Sequence, residues 1–214
     1  MVDVKVGIII SESDVRDIGV EVVAEYAKSI LEHYIEVGLR KFYIIIPETG
    51  RYTIVGRVID SGLHKEAEIV FREIYGEDGG GGLLSLVPFI YYSEKMIVNE
   101  IRYVFKDYLY EYYVDLLDKT EYPIIFLGKT VDPPYAKLQG DRILYFVETL
   151  RDIVKYGYIG LSILTYRFFN FISGEHLIYP DLHVREATEL FNLYLSKGGV
   201  LKAEILMDME WSRI

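Results

Sequence analysis

The chain has 214 residues, a formal net charge of −10 and no cysteine. The charge argues against a general affinity for nucleic acid, whose backbone is bound by clustered lysine and arginine, and the missing cysteines exclude disulfides and Cys-ligated zinc. With 51% hydrophobic and 26% charged residues, the composition is that of a globular protein. Because no apolar run approaches the ~18 residues of a membrane span, we expect a cytoplasmic protein.

The first 47 residues predict a βαβ unit. Val4–Ile10 is a short β-branched run without helical periodicity, which is typical of a buried parallel strand. Apolar residues from Val20 to Ile35 recur at steps of three and four and predict one apolar helix face. Gly38 then ends this helix, and a second buried strand follows at Lys41–Ile46.

The rest of the chain predicts further strands that alternate with helices. Further strands are predicted at Leu83–Tyr92 and Tyr122–Gly128, and helices at Lys65–Tyr75, Glu94–Leu117, Ile143–Ile153 and His183–Ser196. Turns are predicted at Glu77–Gly82 and 179–182, Gly157–Phe171 fits either helix or strand, and 200–214 is a C-terminal tail in which Trp211 packs. Since no repeat or linker divides the chain, we expect a single α/β domain over 1–214, with a mostly parallel central sheet flanked by helices.

The segment 11–17, "SESDVRD", follows the first strand directly. Open α/β sheets bind ligands at the carboxyl ends of their strands. Glu12, Asp14 and Asp17 carry oxygen ligands suited to Mg²⁺, and Arg16 would pair with a phosphate. The alternative is that the acids only complement the dipole of the next helix.

The segment Leu127–Thr130, "LGKT", is spelled like the end of a phosphate-binding P-loop. The first glycine of that motif would stand five residues before Gly128, where the chain has Pro123. A P-loop is therefore excluded.

Several segments resemble the cis-prenyltransferase family, which includes undecaprenyl diphosphate synthase. The resemblance rests on "EVGLRKFYIII" (Glu36–Ile46), "FIYYSEKMIVNEIR" (Phe89–Arg102) and "YPDL" at 179–182. It implies a cis-prenyltransferase-like fold, and a site for allylic diphosphate and Mg²⁺ at the end of the first strand.

The phosphate-handling positions depart from that family. Its Mg²⁺-binding Asp falls on Ser11, or on Glu12 with a one-residue shift that also places Arg16 on the family's Arg. Tyr91 matches a later motif, and Lys129 is the only cation near the segment that would grip the second diphosphate. The resemblance therefore implies a catalytically impaired accessory subunit in polyprenyl diphosphate synthesis, using Mg²⁺ only if it is active.

The same resemblance predicts a homodimer, or a heterodimer with a homologous catalytic subunit, with peripheral membrane or prenyl-lipid contact and no nucleic acid. The expected substrate-binding residues are Ser11, Glu12, Asp14, Arg16, Tyr91 and Lys129, with Glu12 as the metal ligand. The alternative hypothesis is an α/β ligand-binding or regulatory module that recognises a nucleotide or another anion at 11–17.

Overall fold

The computed structural model describes residues 4–74, 79–91, 94–130, 132–151, 154–178 and 186–214. The strands are β1 (Lys5–Ile9), β2 (Lys41–Ile46), β3 (Glu68–Glu73), β4 (Lys95–Glu100), β5 (Tyr103–Phe105), β6 (Ile124–Lys129), β7 (Tyr135–Gln139), β8 (Arg142–Val147), β9 (Tyr156–Thr165), β10 (Leu201–Leu206) and β11 (Trp211–Arg213). The helices are α1 (Glu12–Ile18), α2 (Val20–Glu36), α3 (Arg51–Asp60), α4 (Gly79–Leu86), α5 (Tyr108–Lys119), α6 (Tyr166–Ile178) and α7 (Ala187–Ser196).

The predicted βαβ unit is confirmed. β1 and β2 are parallel, with Lys5 opposite Lys41, and α2 buries the predicted apolar face. A short helix that was not predicted, α1, precedes α2. The two helices meet at Gly19, whose φ of 96° suits glycine and breaks the helical path.

The described strands form one nine-stranded sheet in the order β3-β2-β1-β4-β9-β6-β10-β8-β7, while β11 pairs with β5 in a separate ribbon. Parallel pairing joins β1 to β2 and β4, β2 to β3, and β6 to β10. However, β9 runs antiparallel to both β4 and β6, and β8 is antiparallel to β10 and β7. The single-domain α/β prediction is confirmed, but the sheet is mixed and not mostly parallel.

Hydrophobic cores cover both faces of the sheet. One core packs α2, α3 and α5 against the sheet, and the other packs α4, α6 and α7 against the opposite face. The result is a three-layer arrangement of helices, sheet and helices. Among the described helices, none has both the length and the apolar character needed to cross a bilayer.

The predicted helix at Glu94–Leu117 is wrong. Its first part is the buried strand β4, followed by β5 and only then by α5. Residues 96–99 are all buried, as expected for a strand enclosed on both faces, so the apolar run has no exposed face that would mark a strand. The apolar residues of β4, β5 and α5 together have a spacing similar to that of the apolar face of one long helix.

The predicted strand at Leu83–Tyr92 is also wrong, because α4 occupies Gly79–Leu86. Gly82, assigned to a flexible turn, lies inside this helix. A Cβ at Gly82 would stand 2.3 Å from Cγ2 of Ile9, so the glycine lets α4 approach β1 closely. The glycine run therefore reflects tight helix–sheet packing.

Three other segments differ from the prediction. Lys65–Tyr75 contains the edge strand β3 and not a helix, and Ile143–Ile153 begins with β8. The C-terminal helix is confirmed over Ala187–Ser196, whereas the predicted turn at 179–182 lies outside the described residues. The tail after residue 200 supplies β10, an interior strand of the sheet, and β11.

Candidate functional site

A cleft of about 690 Å³ opens at the carboxyl ends of β1 and β4. These two parallel strands end side by side, with Ile9 opposite Glu100. The connection that follows β1 leads to β2 on one side of β1, while β4 is the neighbour of β1 on the other side. The strand order therefore reverses between β1 and β4. Such a switch point is where open α/β sheets form their binding crevices, and the volume is in the range of ligand sites.

Polar groups from distant segments line this cleft. They come from α1, from the connections after β4 and β6, from the start of β9, from the start of α7 and from the C-terminal strand β11. The side chains that matter below are those of Ser11, Ser13, Asp14, Arg16, Asp17, Glu100, Arg102, Asp132, Tyr158, Glu186, Trp211 and Arg213.

Asp14 anchors α1 at the edge of the cleft. Its Oδ2 accepts hydrogen bonds from the Ser11 amide at 2.8 Å and the Ser11 hydroxyl at 2.7 Å, and Oγ of Ser11 accepts from the Asp14 amide, completing a capping box. Its Oδ1 accepts from Nε of Arg102 at 2.7 Å. Nη2 of Arg102 donates to the Ser13 hydroxyl at 2.6 Å. Both carboxylate oxygens of Asp14 are therefore engaged within the protein.

Glu100 lies at the end of β4, and its buried Oε1 makes no hydrogen bond of good geometry to any residue that the structure describes. Burial and the nearby Asp14 carboxylate raise the pKa of Glu100 to about 7, with partial offset from the Tyr158 hydroxyl and Arg102. The Tyr158 hydroxyl is also buried, and among the described residues it makes no hydrogen bond of good geometry. Burial, and then the charge of Glu100, raise the Tyr158 pKa well above its ordinary value. The Tyr158 hydroxyl interacts weakly with Glu100 and Ser162 and so affects the pKa values, but neither it nor Oε1 of Glu100 makes a hydrogen bond of good geometry within the described residues. Buried polar groups normally have such partners, so both groups retain hydrogen-bonding capacity for a ligand.

The raised pKa of Glu100 predicts a pH-dependent stability. In the unfolded chain Glu100 ionises near 4.5, but in the folded protein it keeps its proton until about 7. Between these values the folded state binds more protons, so the free energy of unfolding falls as pH rises. The side chain of Glu100→Gln cannot ionise. We therefore expect the free energy of unfolding of this variant to exceed that of the wild type by about 1–2 kcal/mol at about pH 8, and by much less at about pH 5.

Urea denaturation of both proteins at the two pH values measures this difference. The matched control is Glu66→Gln, the same change at an exposed glutamate, which should leave stability nearly unchanged at both. An equal effect of Glu100→Gln at the two pH values would contradict the prediction.

Four of the residues predicted from the sequence line the cleft: Ser11, Asp14, Arg16 and Asp17. Glu12 does not line it and instead accepts a long hydrogen bond of 3.3 Å from the Thr49 amide. The structure thus brings part of the 11–17 segment to the cleft and turns Glu12 toward the loop after β2. The metal role of Glu12 stays a prediction.

The other two predicted residues lie elsewhere. Tyr91 packs on Nζ of Lys5, 4.3 Å from the ring centroid, at the amino-terminal end of β1 and so at the opposite edge of the sheet. Lys129 is exposed at the end of β6, where its Nζ lies 3.9 Å from Asp208. Neither residue lines the cleft.

Sequence reasoning missed Glu100, Arg102, Tyr158 and the C-terminal pair Trp211 and Arg213. A signal existed for the first two, because they follow the apolar run of β4 as Ser11 follows that of β1. That signal was hidden when the run was interpreted as part of a helix. The contributions of β9 and β11 depend on long-range pairing, for which the sequence holds no local mark.

The cleft does not present a ready set of ligands for a divalent cation. Mg²⁺ requires several oxygen ligands in near-octahedral geometry, and both oxygens of Asp14 are already hydrogen-bonded. Within the described ranges, no group of three or more His, Asp or Glu side chains is placed to hold a metal ion.

No protein-family model and no curated protein matches the sequence. Solved structures do share the fold, among them three whose names are those of nucleotidyltransferases. A structure described as a glucose-1-phosphate thymidylyltransferase from Bacillus anthracis, in complex with sucrose, has a TM-score of 0.73 at 17% identity and covers 98% of this chain and 89% of its own. The inositol-1-phosphate CTP transferase from T. maritima has a TM-score of 0.72 at 12% identity, with 98% and 88% covered. UDP-glucose pyrophosphorylase complexed with UDP-glucose has a TM-score of 0.63 at 13% identity, with 93% and 89% covered.

The chain therefore has a nucleotidyltransferase-like fold, and the assignment to the cis-prenyltransferase family is wrong, together with the role in polyprenyl diphosphate synthesis. The resemblance also implies a prenyl tunnel between the sheet and the predicted helices at Lys65–Tyr75 and Glu94–Leu117. Those segments contain the strands β3 and β4. Glu94, within the segment Phe89–Arg102 that carries part of the resemblance, forms an ion pair with the buried Lys5 at 2.7 Å.

Proposed function

We propose that this protein binds a nucleoside phosphate or a nucleotide sugar in the cleft between the ends of β1 and β4. The observation that carries the proposal is a pair of buried polar groups in a cleft at the switch point of the sheet: Oε1 of Glu100 and the Tyr158 hydroxyl make no hydrogen bond of good geometry within the described residues. One is a carboxyl oxygen and the other a phenol, so together they suit a ligand that carries hydroxyl or amide groups.

The charged groups support the phosphate part of the ligand. Arg16, Arg102 and Arg213 line the same cleft, and the planar guanidinium group matches a phosphate with two parallel hydrogen bonds. The similar structures add a chemical context, since their names include a thymidylyltransferase, a CTP transferase and a pyrophosphorylase holding UDP-glucose. Fold alone does not define function, so the proposal depends on the cleft.

The test is a binding titration with UTP, CTP, dTTP and UDP-glucose, each in turn. Trp211 is the single tryptophan and lines the cleft, so its fluorescence reports on this site, and calorimetry gives an independent Kd. We expect at least one of these ligands to bind with a Kd of about 1–100 μM. Binding of none of them would contradict the proposal.

Tyr158→Phe tests whether the cleft is the site. Removing a buried hydroxyl that bonds the ligand should weaken binding by about tenfold. The matched control is Tyr145→Phe, on an exposed tyrosine outside the cleft, which should bind like the wild type. Equal binding by all three proteins would place the ligand elsewhere.

Nucleotidyl transfer is a second candidate, favoured by the match to nucleotidyltransferases over 98% of the chain. In that reaction a phosphate oxygen of the acceptor attacks the α-phosphorus of a nucleoside triphosphate, and pyrophosphate leaves. Pyrophosphate release from UTP, CTP or dTTP with glucose 1-phosphate tests it. Binding without release would leave a recognition module, as in the alternative hypothesis from the sequence.

A further inference from the structure

Three arginines from three separate parts of the chain line the cleft. Arg16 lies in α1, Arg102 follows β4, and Arg213 lies in β11. No lysine among the described residues lines it. This convergence of guanidinium groups occurs in a chain whose net charge is −10, and arginine is the cation that binds phosphate oxygens in pairs.

Two of these arginines have partners that a ligand can replace. Nε of Arg16 lies 3.1 Å from Asp17, and Nη1 of Arg213 lies 3.1 Å from Asp132. All four side chains are more than half exposed, and exposed ion pairs contribute little to stability. Exchange of an aspartate for a phosphate oxygen therefore costs little.

The third arginine is fixed and still has donors to offer. Arg102 uses Nε for Asp14 and Nη2 for Ser13, and its Nη1 makes no hydrogen bond to any described residue. Its side chain is 30% exposed and lines the cleft. The bond to Asp14 holds the guanidinium group in one orientation, so it is preorganised for an anion.

Two aspartates of the cleft, Asp17 and Asp132, are exposed and pair with Arg16 and Arg213, whereas the other carboxyl groups are poorly disposed toward a cation. Asp14 has no free oxygen, because Ser11 and Arg102 occupy both. Burial raises the pKa of Glu100 and of Glu186, which favours their neutral forms and weakens their repulsion of a phosphate.

We propose that Arg16, Arg102 and Arg213 neutralise the phosphate groups of the ligand in place of a divalent cation. This inference rests on the proposed function, since it concerns how the same cleft holds its nucleotide. It assigns a ligand-binding role to the C-terminal strand β11 and predicts that binding needs no metal.

The first experiment titrates whichever of UTP, CTP and dTTP binds tightest, in excess EDTA and in excess MgCl₂. We expect the two Kd values to agree within about threefold. Binding that weakens by about tenfold or more in EDTA would overturn the inference and leave the proposed function intact. No binding in either buffer would overturn both.

The second experiment compares variants in EDTA. Arg213→Gln should weaken binding by about tenfold, and Arg213→Lys should give an intermediate loss, because it keeps the charge without the planar fork. Asp132→Asn should bind equally or up to about threefold more tightly, since it releases Arg213 from its competitor. The matched control is Arg57→Gln, an exposed arginine in α3 that is paired with Glu21 and Glu25 and lies outside the cleft. Equal binding by Arg213→Gln and Arg57→Gln would overturn the inference.

Discussion

Replacing Arg102 with methionine should lower the free energy of unfolding by about 3 kcal/mol. Asp14 is 5% exposed, and its Oδ1 bonds to Nε of Arg102 at 2.7 Å. Without the guanidinium group, the Asp14 carboxylate stays buried with one oxygen unpaired, and the loss of one partner of a buried pair costs far more than the pair itself contributes. The change also breaks the bond to Ser13, so α1 loses its attachment to the end of β4.

Thermal and urea denaturation measure this loss, which corresponds to a drop in Tm of about 9 °C for a chain of this size. The double variant Asp14→Asn/Arg102→Met removes the buried charge, so we expect it to recover more than half of the loss. Additive effects of the two single changes would show that Asp14 and Arg102 do not interact in solution.

Replacing Gly128 with alanine should lower stability by about 2 kcal/mol and displace the C-terminal strand. A Cβ at Gly128 would stand 2.3 Å from Cε2 and 2.5 Å from Nε1 of Trp211. The indole is rigid, and the ring of Tyr103 packs edge-on against it, with the two ring centroids 5.8 Å apart. The indole therefore cannot move away from the new Cβ unless β11 moves too. Arg213 lies in the same strand, and nucleotide binding should weaken together with stability.

Trp211 fluorescence detects the displacement, because a ring pushed from β6 into water emits at longer wavelength. Gly174→Ala is the matched control. Gly174 lies in α6 with open space where its Cβ would stand, so alanine should stabilise the helix by about 0.5–1 kcal/mol. Unchanged emission and stability of Gly128→Ala would show that the contact is not rigid.

Local sequence patterns predicted the parts of the fold that depend on local contacts. The run Val4–Ile10, the helix face from Val20 to Ile35 and the strand Lys41–Ile46 each carry one clear periodicity, and all three are confirmed. Patterns failed where burial on two sides removes the periodicity, as in β4, where residues 96–99 are all buried. They failed again at Gly82, where the glycine reflects contact with a strand some seventy residues earlier and not a turn.

For the candidate site too, the sequence predicted residues with a local signal and missed those placed by long-range contacts. Ser11, Asp14 and Arg16 were found because they follow a recognisable strand directly. Glu100 was missed because its strand was assigned to a helix, and Arg213 because β11 reaches the cleft through pairing with β5 and contact with Gly128. The resemblance to cis-prenyltransferases rested on an apolar strand and a glycine after a helix, and unrelated α/β proteins share these features. The predicted dimer, membrane contact and Mg²⁺ stay predictions.

The placement of β9 has a consequence for how the protein folds. β1 to β4 form one block of parallel strands from the first half of the chain, and β6 and β10 pair in the second half. β9 joins the two blocks by antiparallel pairing with β4 and β6, and its first residues, including Tyr158, also line the cleft. A folding intermediate that contains only the first block would lack this wall, and its cleft would be incomplete. Hydrogen exchange at the amides of β9 therefore reports both the completion of folding and the integrity of the cleft.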